Sequence, residues 1–379
     1  MSAAALAVLL LARSAAAAPA APAIVTDPRI ELLGVVQLLS GERPDLPGDA
    51  AYRRAVEARF GAFRGDPAVA MYRERARRLG RNEGSGIILL YYTDPPALAL
   101  RDPGLTPPYL GGPGGAQGER GFLEALRAFA RRTDFAAFYR EHRADYERVL
   151  AASRKDLGVA DPLSFLQSYL GMPLDARARW IVSPLFVPSR RNSFIVPYPD
   201  PRTLPDPGRR PFEVTTEMAY EPGAGPSGEI VTQRNRQALW QEPLFVFVDP
   251  ALAAYDAALA RAPASYYGRE VAACRREDAD CAKNWLIAAL CARLDTAAFG
   301  APTVHSDGRD PRHDAYEAAL ASRLTEYEKD RGRWPTLWSF LPRLMAVFPE
   351  KAGLRAPPPV LPAARGVKDL FPGARAGRR

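Results

Sequence analysis

The sequence predicts an α+β protein that is predominantly helical and carries a small mixed or antiparallel sheet. Apolar residues recur at helical spacing through long stretches on both sides of the chain's middle. Between Trp180 and Tyr220 the pattern changes to short apolar runs separated by proline-rich turns. Length and composition bound the answer: 379 residues, 47% hydrophobic and 25% charged, can bury a large core in one big domain or two.

In chain order, Asp27-Pro28 starts a helix, with Asp as N-cap and Pro at the first helical position. Ile30, Leu33, Val36 and Leu38 supply its apolar face as far as Gly41. Tyr52–Phe63 follows, then a helix opened by Asp66-Pro67 that ends near Gly80. Ile87–Tyr92 reads as helix or strand from periodicity alone. Residues 102–118, rich in Gly and Pro, form a linker without a phosphate-binding pattern. Helical spacing returns from Glu119 to Arg132 and from Phe135 to Lys155, where His142 sits among aromatics in a core or cleft-lining role. Trp180–Val182, Phe194–Val196 and Phe212–Thr216 read as short strands, and Pro184, Pro188 and Pro197 place several of them at edges. The candidate helices after Asp249-Pro250 are Ala251–Arg261, Glu270–Leu294 with an interruption at Asp278–Asp280, Asp314–Arg331 and Leu337–Phe348.

The net charge of +8 rests almost wholly on arginine, with lysine at five positions. No basic stripe is interleaved with stacking aromatics, which argues against nucleic-acid binding. Ala3–Ala12 followed by Ala15–Ala18 reads as a secretory signal peptide over residues 1–22, although no Lys or Arg precedes the apolar run. Ten apolar residues are too few to span a bilayer, and no later stretch is long enough either, so an exported protein without a membrane span is expected. In an oxidising compartment Cys274 and Cys281 can close a short loop and leave Cys291 unpaired; three free thiols are the alternative.

The chain is organised around Thr232–Asp249, TQRNRQALWQEPLFVFVD. Its layout resembles a zincin helix, in which HExxH places two histidines at i and i+4 with a glutamate base between them. Here Gln241 and Phe245 stand at the histidine positions and only Glu242 remains. The stretch is similar to the HEFxHxFVNP motif of a family of exported bacterial proteins of unknown function. Asp27–Leu33 resembles that family's DPRxELL helix, Thr133–Tyr146 its phenylalanine-rich helix, and Tyr327–Leu337 its closing YE…YPT segment. The likeness covers residues 27–350. It implies a zincin-like domain over 24–350, with a helical part at 24–175, a small sheet at 177–220, and the motif and later helices at 228–350. A Pro/Arg-rich tail at 351–379 follows. It also tips Ile87–Tyr92 towards a buried helix, places Trp285 at the third ligand position, and lets Tyr266–Gly268 line the former cleft.

The chemistry argues against a working site. Zinc hydrolysis needs three protein ligands and an open position. Gln241 is a poor ligand, Phe245 and Trp285 cannot ligate, and Glu242 has no metal-bound water to activate. Pro243 adds the cost of a helix-interior proline, so a kinked or broken motif helix is expected, ending at Asp249-Pro250. His305, Asp307, Asp310, His313 and Asp314 suit a divalent metal by type, yet they fall in an irregular Gly/Pro loop without helical i, i+4 spacing. The expectation is a pseudo-metallopeptidase with no catalytic residue, no metal and no cofactor, in a binding or structural role, with a peptide or protein as the ligand of the former cleft. The alternative is an active zinc-dependent peptidase that uses other ligands.

Overall fold

The computed structural model describes residues 24–42, 49–79, 85–101, 114–174, 176–185, 212–219, 226–259, 281–301, 311–354 and 358–370. The signal segment, Phe194–Val196, Tyr266–Gly268, Cys274 and the His305–Asp310 loop lie outside them, as do the side chains of Glu242, His313 and Asp314.

Strand β1 (Ile24–Val25) leads into helix α1 (Pro28–Ser40). Asp27 caps α1 by accepting a 2.9 Å hydrogen bond from the Arg29 amide, and Gly41 ends it in the left-handed region at φ 71°. Both ends follow the expected capping chemistry. The burial does not follow the expected one-sided face. Nearly the whole of α1 is buried, including Arg29, Glu31 and Gln37. A helix buried all round is a core element, and the next elements pack around it: α2 (Ala50–Phe60), α3 (Pro67–Leu79) and α4 (Ser85–Leu89). The Ile87–Tyr92 run is thus helical only in its first part, since Tyr92 bridges to Leu100. Helices α5 (Gly115–Arg132), α6 (Phe135–Glu141) and the start of α7 (Arg143–Leu157) complete this half, while the rest of α7 and α8 (Pro162–Leu170) pack with the later helices. The single helix expected over Phe135–Lys155 is divided at His142.

The sheet has three described strands in the order β1-β2-β3, with β2 at Ala176–Ser183 and β3 at Phe212–Ala219. Both pairings are parallel, Ile24 opposite Trp180 and Ala176 opposite Phe212. This corrects the expected mixed or antiparallel sheet among the described strands. Long connections are the reason: helices α1–α8 separate β1 from β2, and residues 184–211 separate β2 from β3. Neither connection is a hairpin, and parallel pairing needs crossovers of this length.

The central strand separates two hydrophobic cores. Side chains alternate across a strand, and in β2 Trp180 and Val182 enter one core while Ile181 enters the other. The second core is the α1-centred one. The first contains α8, the Val149, Leu150 and Leu157 side chains of α7, and the remaining helices: α9 (Pro226–Ala258), α10 (Cys281–Phe299), α11 (Pro311–Lys329), α12 (Leu337–Met345) and α13 (Val347–Lys351).

Helix α9 is not broken near Gln241. It is assigned as one helix of 33 residues that runs through both Pro243 and Pro250 and does not stop at Asp249. Each interior proline costs about 3 kcal/mol through a lost hydrogen bond and a clash. Against that, Leu239, Trp240, Leu244, Val246, Phe247, Val248, Ala251, Leu252 and Tyr255 are all buried. Fully burying a large apolar side chain is worth about 1.5–3 kcal/mol, so the packing outweighs the two prolines. The prolines are seven residues apart, close to two helical turns, and so they interrupt the hydrogen-bond ladder along one stripe. No helix among the described residues is long and apolar enough to cross a membrane.

The buried pair at the start of α1 should dominate its stability. Arg29 donates to both Asp27 carboxylate oxygens and to the carbonyls of Leu90 and Tyr92, tying α1 to the chain after α4. Removing one partner of a buried ion pair costs about 3–5 kcal/mol. Asp27→Ala should therefore lower the urea unfolding free energy by about that much, whereas removing the exposed Arg343–Glu326 pair with Arg343→Ala should cost less than about 1 kcal/mol.

Candidate functional site

Gln241, Phe245 and Asp249 recur every fourth residue along α9 and share one stripe. All three are half-buried, in contrast to the buried positions around them. Helix α10 faces this stripe through Lys283. The Lys283 ammonium lies 5.1 Å from the Phe245 ring centroid and 3.3 Å from Asp249 Oδ1. The seam therefore offers an amide, an aromatic face and an ion pair, in that order along the helix. The backbone of Glu242 is in α9, next to the stripe.

Trp285 lies two residues beyond Lys283, about 200° further round α10. Its ring stacks on Tyr316 of α11 at 4.6 Å with a 7° interplanar angle, and on Phe348 of α13 at 6.2 Å. Tyr316 and Phe348 also stack, at 5.6 Å, so three rings from three helices form one cluster. Trp285 is 7% exposed. The structure thus brings Gln241 and Phe245 onto one stripe of α9 and sets Trp285 on the adjacent helix, in a stack with α11 and α13. One residue before the seam, Trp240 donates from Nε1 to Asp295 Oδ1 at 2.7 Å, with both side chains fully buried, and this pins α9 to α10.

No group of three or more His, Cys, Asp or Glu side chains that could hold a metal occurs among the described residues. Cys281, at the start of α10, is disulfide-bonded, and Cys291 is buried and keeps its thiol. Cys274, the partner expected for Cys281, lies outside the described residues. His142 stands where α6 meets α7, its Nδ1 2.9 Å from the Phe138 carbonyl and its ring 4.0 Å from Phe138 and 5.4 Å from Tyr52.

A second cluster of polar groups, around Glu31, has no counterpart in the sequence reading. Glu31 is fully buried in α1. Its Oε2 accepts a 3.1 Å hydrogen bond from the Tyr52 hydroxyl, which in turn lies 2.5 Å from the Tyr146 hydroxyl. The other carboxyl oxygen, Oε1, has no partner in hydrogen-bond geometry. Burial pushes the Glu31 carboxyl up to about 8, the nearby Asp27 charge adds to this, and the Ser183 and Tyr52 hydroxyls oppose it. Burial likewise raises Tyr52 and Tyr146 above the ordinary tyrosine range, and the Glu31 charge reinforces both shifts. The usable signal was a lone charge within the otherwise apolar run Ile30–Val36, four residues after a capping aspartate.

Comparison with known proteins finds no matching family model, no matching curated protein and no matching solved structure.

The two aromatic positions should respond differently to truncation. Trp285→Ala removes the largest ring of a buried three-ring cluster and should cost about 3–5 kcal/mol in chemical denaturation. Phe245→Ala, at a half-buried seam, should cost clearly less. Equal losses would mean that Trp285 is not the packing centre of these helices.

Proposed function

We propose that this chain is an exported, catalytically silent zincin-like protein that acts by binding a peptide or a partner protein. The observation that carries the reading is the Trp285 stack. At the third ligand position a ring is held 4.6 Å from Tyr316 and nearly parallel to it, so the position is committed to packing. A hydrolytic zinc needs three protein ligands and an open position. Gln241 offers at most an amide oxygen, and Phe245 and Trp285 offer no donor that binds zinc. Glu242 without a metal has no acidified water to act on. The half-buried seam of Gln241, Phe245 and Asp249 beside Lys283 remains suited to side-chain contacts with a ligand. Export has its own support, since the disulfide at Cys281 suits an oxidising compartment.

Elemental analysis of the purified mature protein tests the reading. The expected result is zinc well below one atom per chain and no cleavage of a mixed peptide library. About one zinc per chain, lost on chelation together with hydrolytic activity, would establish the active-peptidase alternative. The double change Gln241→His, Phe245→His should gain weak zinc binding at most, because the third ligand is still missing. Adding Trp285→Glu supplies that ligand and disrupts the ring stack, so tighter zinc binding should come with a large loss of stability.

A further inference from the structure

Among the described residues Glu31 is a carboxyl group without a counter-ion, at the junction of four elements. The groups around it can be named from each. On α1 itself, Asp27 lies one turn before it, and Arg29 is engaged by Asp27 and by the carbonyls of Leu90 and Tyr92. From α2 comes the Tyr52 hydroxyl, and from α7 the Tyr146 hydroxyl behind it. From β2 come Ser183, whose hydroxyl acts on the carboxyl, and Arg179, which lies 3.4 Å from Asp27. Tyr139 of α6 stacks on Tyr146 at 4.5 Å and bonds Thr26 at 3.0 Å, and His142 lies at the edge of the Tyr52 ring. Among the described residues no cation forms an ion pair with Glu31.

A neutral carboxyl fits this place and a carboxylate does not. One oxygen accepts from Tyr52, and the other is buried without a partner, which suits a protonated acid more than an anion. An isolated buried anion costs several kcal/mol, and a like charge one helical turn away adds to that. The tyrosines cannot relieve it by giving up a proton to the carboxylate, because as acids they are far weaker than a carboxyl.

We propose that Glu31 is a proton-gated latch: with its carboxyl protonated α1, α2, α7 and β2 close around it, and with it ionised they part. Burial sets the range over which the latch works. The ordinary glutamate value is 4.5 and that of Glu31 is about 8. A raised value means that the folded state holds the proton more tightly than the open one. The stability contributed by that proton is complete below about 4.5, falls as the pH climbs, and is gone above about 8. The latch acts on the α1-centred core, where Tyr52, Tyr146 and Ile181 are packed, and not on the core around α9 and α10.

Hydrogen exchange on the unmodified full chain, corrected for intrinsic rates, is the decisive measurement. Between pH 5 and 8 the opening of α1 and α2 should rise about tenfold per pH unit, one proton being released on opening, and should level off above 8. Amides of α9 and α10 should show no such slope. Glu31→Gln keeps the shape and removes the proton, so its α1 and α2 amides should lose the slope and be better protected at pH 8. A flat profile in α1 and α2 of the native chain, or the same slope in both cores, overturns the proposal. So does a Glu31→Gln chain that keeps the native slope. If that variant does not fold, the native profile alone decides.

Discussion

Alternation along β2 holds the two halves of this molecule to one strand. Trp180 and Val182 belong to the core of α9 and α10, and Ile181 belongs to the core of α1. A strand buried on both faces needs partners on both edges as well, because unpaired backbone groups in such a place would lose their hydrogen bonds to water. The parallel neighbours β1 and β3 supply those partners. Sheets of this kind are covered on both faces, which is why a sheet of three described strands sits within a mostly helical protein. Every side chain that enters the junction therefore has to suit a dry, two-sided wall.

Two carboxyl groups on α1 show what that wall demands. Asp27 and Glu31 are four residues apart and both are buried, yet their acidities move in opposite directions. Burial pushes Asp27 up, but hydrogen bonds and charge from Arg29, with Arg179 adding to them, outweigh burial and hold it below the ordinary range. Glu31 has only hydroxyls and the repelling Asp27 charge nearby, so burial wins. The residue types and the helix are shared. The difference lies in whether a guanidinium is within reach.

The same rule of context governs α9. Read locally, Pro243 and Pro250 end or bend a helix; packed, they sit in a 33-residue one. The lost hydrogen bonds cost about 3 kcal/mol per proline, and burial of the surrounding apolar side chains exceeds that. The buried Trp240–Asp295 hydrogen bond then ties α9 to α10, whose Lys283 meets Phe245 and Asp249.

By itself the sequence determined those features whose causes lie within a few residues. Asp27-Pro28, Gly41 and Asp66-Pro67 mark helix ends because capping is a contact between near neighbours. The stripes on α5 and α7 follow from a periodicity that needs no partner to be visible. The absence of histidine at positions 241 and 245 is likewise read directly, since ligand chemistry belongs to the side chain. Tertiary structure alone decided the rest. Parallel pairing of β2 depends on where a 28-residue connection returns, which no local pattern records. Continuity of α9 depends on the burial it gains, and the placing of Trp285 depends on Tyr316 and Phe348, 31 and 63 residues further on. Glu31 was visible as a charge in an apolar run, but its proton affinity was not. That affinity is set by distance to cations and to water, and the fold determines both.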